Sequence, residues 1–137
     1  MLKFLNNKLD LIFKKLKYLS VFFLRLGLGF AFTIHGVNKF PLPPEKLIEY
    51  FGFSPFLASF VAISEVAAGI TLILGGFLKN YIGNFLTRFS ALVIIIIMFF
   101  AFYFAHKDWF ITTKLFTSEQ IFLFLIGFYF LSNGNGK

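Results

Sequence analysis

Apolar residues fill four stretches of the chain, and polar residues gather between them. Tyr18–Asn38 carries Arg25 as its single charge, and Phe51–Leu78 carries Glu65 as its single charge. Phe89–Ala105 and Gln120–Gly136 carry none, although the apolar part of the last, Ile121–Leu131, is short. A helix that crosses a bilayer needs about 17–25 predominantly apolar residues. The pattern therefore predicts four membrane helices, with the second and third as antiparallel neighbours because the connection between them is short. Ahead of them, Leu2, Leu5, Leu9, Ile12, Leu16 and Leu19 recur at spacings of three and four, with lysine and asparagine on the other faces. That is the pattern of an amphipathic helix lying on a membrane surface. The expected architecture is an all-α membrane protein: an N-terminal amphipathic segment over residues 1–19, then an antiparallel four-transmembrane-helix bundle over residues 20–137.

The punctuation between the stretches agrees. Pro41, Pro43 and Pro44 end the first helix, and Glu45–Phe51 is expected to form a short interfacial helix. Ser54 and Pro55 suit the N-cap and first position of the second span. That span is expected to close near Gly75-Gly76, with Leu78–Asn84 as a short connection to the third. Thr117 followed by Gln120 predicts a capping box for the fourth. The lysine-rich start followed by an apolar stretch resembles a signal peptide, but His35-Gly36 stands where a small-x-small cleavage site would be, so a retained span is expected.

Composition supports lipid as the solvent. Of the 137 residues, 58% are hydrophobic and 24 are Phe, above the roughly 45–50% apolar content of soluble domains. The net charge of +7 is a topology signal rather than a nucleic-acid one. Lys3, Lys8, Lys14, Lys15, Lys17, Lys79, Arg88 and Lys137 would all face one side, and Lys39, Lys46, Lys107 and Lys114 the other, where Glu45, Glu49, Asp108 and Glu119 accompany them. The positive-inside rule then places both termini in the cytoplasm. With no cysteine in the chain, thiolate nucleophiles, thiolate metal ligation and disulfide exchange are excluded from this subunit. There is no Ser-His-Asp spacing, phosphate-cradling glycine loop or nucleic-acid module.

An ionisable residue at the centre of a membrane helix costs roughly 2.5–3.5 kcal/mol, so it needs a partner, a cavity or a function. Around Glu65 stand Ala58, Ala62, Gly69 and Gly76 at helical spacing, and around Arg25 stand Leu28, Gly29, Phe32 and Gly36. Small residues mark faces where helices approach closely, so both charges are expected to point into the bundle. Counted from the middle of each span they lie about 6 Å apart in depth, and an Arg25–Glu65 pair is expected. Two readings of it stay open: an ion pair that fixes helix register, or a polar site for a substrate, a proton or a quinone. His35, Lys39 and His106 fall near the outer ends of the first and third helices and would line a mouth above Glu65. Two histidines make a poor metal site, and none is expected.

Arg25-Leu26-Gly27, His35-Gly36-Val37-Asn38-Lys39-Phe40, Glu65 with Gly69 and Gly75-Gly76, His106, and the Asn133-Gly134-Asn135-Gly136 tail together resemble the DoxX family of small four-helix bacterial inner-membrane proteins. The resemblance spans about residues 20–136, and its most specific part is the first-helix Arg, His-Gly and Lys spacing followed by the second-helix Glu. It implies an inner-membrane protein associated with redox enzymes, with quinone as a cofactor, a redox partner subunit, and homo- or hetero-oligomers. The chain departs from the family in lacking a Ser-x-Asp ending. The rival reading is a non-catalytic scaffold whose Arg25–Glu65 pair is structural. A proton path through Glu65 is a third.

Overall fold

Helices account for nearly the whole chain. α1 spans Leu2–Phe13, α2 Leu16–Val37, α3 Glu45–Phe51, α4 Pro55–Phe77 and α5 Tyr81–Ala105. A 3-10 turn at Lys107–Ile111 then leads to α6, Lys114–Thr117, and α7, Glu119–Asn133. The structure is a computed structural model that describes residues 1–14 and 16–136. Lys15, one of the N-terminal lysines, and Lys137, at the end of the expected bundle, lie outside the described residues. Among the described residues there is no strand.

Three of these helices, α2, α4 and α5, are long and apolar enough to cross a membrane. Their outer surfaces carry Phe22, Phe60, Ile63, Phe89 and Phe99, all exposed, which suits contact with lipid chains rather than water. α7 is apolar but has 15 residues, a rise of about 22 Å against a hydrocarbon core of about 30 Å. α1 has no buried residue.

Local chemistry explains the boundaries. Ser54 Oγ accepts the Leu57 N–H (3.2 Å) and Pro55 takes the first position of α4, as expected. Asn80 Oδ1 accepts the Gly83 N–H (3.0 Å) and starts α5 at Tyr81. The connection therefore shrinks to Leu78–Asn80, and the third long helix begins two turns before the apolar run that predicted it. The expected Thr117–Gln120 capping box does not form. Thr117 Oγ1 donates back to the Lys114 carbonyl (3.4 Å), and Ser118, at the α7 N-cap, likewise donates back to the Leu115 carbonyl (3.3 Å) and makes no capping bond.

The core follows the small-residue faces. α2 packs on α4, α4 on α5 and α5 on α7, and α7 closes back on α2 through a smaller contact. Leu28, Phe32, Leu72, Ile94 and Phe130 are fully buried at the centre. A methyl group at Gly36 would lie 2.8 Å from Val66 N and 2.9 Å from Ala62 O, and one at Gly29 would lie 2.9 Å from Gly69 O. Only glycine permits backbones this close. As residue numbers fall along α2 they rise along α4, so the two helices run antiparallel.

Candidate functional site

The polar residues of the bundle separate into two groups, one at the middle of α4 and one near its C-terminal end. At the first, the proline-rich turn after α2 brings Lys39 over the middle of α4. Lys39 Nζ donates to Glu65 Oε2 in an ion pair and to the His35 carbonyl at 3.3 Å. The Glu65 side chain is 6% exposed and that of Lys39 23%, so the pair sits at the boundary between the packed interior and a cavity. That cavity has a volume of about 580 Å³ and lies between α3, α4 and α5. Its walls are almost wholly apolar, with Leu47, Phe51, Phe53, Phe60, Ile97, Phe100 and Phe104 contributing, and Lys39, Ser64 and Glu65 are its polar members. Phe51, Phe53 and Phe104 cluster with centroids 5.4–6.4 Å apart, Phe53 and Phe104 edge to face and Phe51 tilted against both, and fix one wall.

The histidines lie beside this site. His35 turns its ring outward, where Nε2 meets Glu119 Oε1 at 3.0 Å and ties the end of α2 to the start of α7. It serves Lys39 through its carbonyl, not its imidazole. His106 ends α5 and stacks on Trp109, ring centroids 3.6 Å apart. Burial there lowers its pKa below the ordinary histidine value, against the opposing pull of Asp108. Neither histidine lines the cavity. Among the described residues no three His, Asp or Glu side chains gather as metal ligands.

Arg25 belongs to the second group, and the expected Arg25–Glu65 pair does not form. Arg25 Nη1 donates to the Leu72 carbonyl (2.8 Å) and to Thr87 Oγ1 (2.7 Å), and Nη2 donates to Asn135 Oδ1 (2.9 Å). Its guanidinium also lies 4.6 Å from the centroid of the Phe130 ring and presses against Gly76. Eleven residues of helix, about 16 Å, separate Glu65 from Gly76. The depth estimate failed because it aligned the centres of the two spans. Helix register is set instead by the contacts of Gly36 with Ala62 and Val66 and of Gly29 with Gly69, which slide α2 by about two turns along α4. Arg25 then reaches the end of α4, and the carboxylate at the level of Glu65 goes to Lys39.

Sequence reasoning missed the residues that satisfy Arg25. Thr87 is fully buried and donates to Asn135 Oδ1 (2.6 Å), and Asn135 Nδ2 donates to the Gly75 and Leu78 carbonyls (2.9 and 3.1 Å). Asn84 Oδ1 accepts the Asn135 backbone N–H at 3.0 Å. The signals were present: Gly83, Thr87, Ser90 and Ala91 form a small-residue face on α5, and Asn135 sits between two glycines. Gly134 has φ +57°, and this left-handed turn folds Asn135 back over the bundle end. Thr71 and Ser90, which carried little signal alone, bond to each other at 2.6 Å.

Apolar membrane-length helices, a charged pair at the edge of an apolar cavity and an arginine held by polar side chains define a helical protein that fits a membrane. The DoxX family model matches residues 20–107, and the chain belongs to the DoxX family. The matched stretch contains Arg25, His35, Lys39, Glu65 and His106 and ends before α7 and Asn135. Comparison with curated proteins and with solved structures finds no match.

Proposed function

We propose that the chain is a DoxX-type subunit of a quinone-linked redox system, and that the cavity between α3, α4 and α5 is where it takes a quinone ring. The observation that carries this reading is the cavity itself: about 580 Å³ of phenylalanine-lined space with a single ion pair as its polar end. Binding sites for planar apolar cofactors combine apolar walls with a few fixed polar groups. Lysine has three donors, and Glu65 and the His35 carbonyl take two of them. The third is free to hold a ring carbonyl oxygen. Glu65 Oε1 makes no bond among the described residues, so it can accept from a hydroxyl of the reduced ring. A bound quinone would supply the two-electron chemistry; the protein holds the ring, keeps water out and provides one donor and one acceptor.

The same reading assigns the rest of the chain. Residues 1–19 lie on the inner leaflet as an amphipathic segment. Residues 20–137 form the membrane domain, with α7 as a fourth, short span and both termini in the cytoplasm of a bacterial inner membrane. A redox partner subunit would supply the electron path that a cysteine-free chain lacks.

Binding of a short-chain quinone to the purified protein in detergent, measured by equilibrium dialysis, tests the proposal. Saturable binding is expected, weakened about tenfold by Lys39→Met, which removes one charged donor. Ala101→Phe, which fills the cavity without touching the ion pair, should abolish it. Absence of saturable binding, or binding unchanged by both variants, would refute it. In that case a scaffold role is left, and Arg25 with its network is the observation that favours it.

A further inference from the structure

The Arg25 end of the bundle has its own cavity, of about 470 Å³, separate from the one beside Glu65. Arg25, Lys17, Tyr18, Tyr129 and Asn133 line it, with Phe22 and Phe77 as apolar walls. Arg25 is 5% exposed, and its three hydrogen bonds leave from Nη1 and Nη2 to neutral oxygens. None leaves from Nε. No carboxylate faces it among the described residues. The chain has six acidic residues, and their placement is uneven. Glu65 is paired with Lys39 and Glu119 with His35. Glu45 and Glu49 lie on α3, and Asp108 follows α5, all at the other end of the bundle. Asp10 is on exposed α1, where it accepts from Asn6. Among the described residues, the Arg25 end therefore gathers Arg25, Lys17, Lys79 and Arg88 without an internal anion.

From this we infer that the Arg25 cavity binds a phosphate-bearing anion, with Arg25 and Lys17 as its cationic ligands and the headgroup of an anionic phospholipid as its source. Arginine presents a planar fork of donors that suits phosphate oxygens. Here the fork is held in place by Thr87, Asn135 and the Leu72 carbonyl, so little side-chain freedom is lost on binding. Lys17 lies two helical turns nearer the end of α2, about 12 Å along the axis, and its long stem lets the ammonium reach back toward the arginine. The Tyr18 and Tyr129 hydroxyls add donors at the rim. Phe22 and Phe77, packed edge to face with centroids 6.3 Å apart, offer a surface for an acyl chain. Basic pockets between membrane helices at a bilayer surface recognise lipid phosphates on these grounds. This site stands independently of the quinone reading, because the two cavities share no lining residue.

Delipidated full-length protein, titrated with phosphatidylglycerol or phosphatidylcholine and followed by native mass spectrometry, tests the inference. One phosphatidylglycerol per chain should be retained about tenfold more tightly than phosphatidylcholine, and Lys17→Gln should remove most of that preference. Lys17 is exposed, so this variant keeps the fold if Arg25→Gln does not. Inorganic phosphate in competition distinguishes the sources. If it displaces the lipid, the site takes the free anion as well; if it does not, the lipid is the ligand. Equal retention of the two lipids, or a preference untouched by Lys17→Gln, would overturn the proposal. So would a graded, unsaturable uptake that disappears with added salt, the behaviour of bulk surface charge.

Discussion

Two cations end up inside this bundle, and they are stabilised in different ways. Lys39 meets a carboxylate, Glu65, beside an open apolar cavity, with one further bond to a backbone carbonyl. Arg25 meets no carboxylate among the described residues and is held by a hydroxyl, an amide oxygen and a carbonyl contributed by α4, α5 and the turn after α7. An ion pair concentrates its energy in two groups, and losing either leaves the other charged and poorly solvated. A network of neutral acceptors spreads the energy over many groups, and losing the cation leaves no orphan charge. The first arrangement can be opened by a ligand that replaces part of the pair. The second is suited to holding helices together while presenting a fixed charge.

Single replacements at the ion pair should produce the largest effects. Lys39→Met strands a nearly buried carboxylate and should destabilise the bundle by about 3–5 kcal/mol. Glu65→Leu should cost less, because Lys39 is more exposed and can turn its ammonium toward the surface. The double variant should recover most of the loss. Denaturant unfolding in detergent micelles would measure all three, and additive losses in the double variant would show that the two groups do not act as a pair.

Arg25→Met comes next, at about 2–3 kcal/mol, the scale of losing hydrogen bonds to a charged donor. The Thr87–Asn135 bond and the bonds from Asn135 to Gly75 and Leu78 survive it. Asn135→Ala should couple strongly to Arg25→Met, and Glu65→Leu should not. Coupling between Arg25 and Glu65 in the same unfolding assay would restore the pair that the sequence suggested.

How much of this was legible differs between the two ends. The faces of Arg25 and Glu65 could be read because Gly29, Gly36, Ala62 and Gly69 recur at helical spacing, and the Ser54-Pro55 start and the short α3 followed from capping and proline chemistry. The partners could not be read. Pairing depends on register, and register is set by backbone approach at the glycines, a distance that residue types alone do not encode. Asn135 was out of reach for another reason: a polar tail of Asn and Gly looks like solvent-exposed chain until a positive φ at Gly134 turns it inward. The cavity beside Glu65 likewise depends on where the proline turn sets Lys39 and α3.

The glycines give a smaller test of opposite signs. Gly36→Ala puts a methyl group against the backbone of α4 and should cost about 1–3 kcal/mol through overpacking. It also shifts the register that separates Arg25 from Glu65, so the Lys39–Glu65 coupling should weaken with it. Gly27, two positions from Gly29, has nothing within 4 Å of where its methyl would lie. Gly27→Ala should stabilise α2 by up to about 1 kcal/mol, the helix propensity difference. A loss of similar size at both positions would argue against glycine contacts as the source of the register.

The smallest expected effect is at His106, which lies outside the long helices and stacks on Trp109. Partial burial disfavours its imidazolium, and Asp108 favours it, with burial the larger influence. The folded protein therefore binds this proton less readily than the unfolded chain. Its contribution to stability is complete above the ordinary histidine value of 6.5 and is lost as the pH falls through that value toward the lower folded midpoint. Nuclear magnetic resonance titration of the ring should find the midpoint below that of a free histidine. Trp109→Ala uncovers the ring and should raise the midpoint, while Asp108→Asn removes the favourable charge and should lower it further. Shifts in the same direction from both variants would mean that neither burial nor Asp108 governs the proton. Neither variant should alter the Lys39–Glu65 coupling, because His106 lines neither cavity.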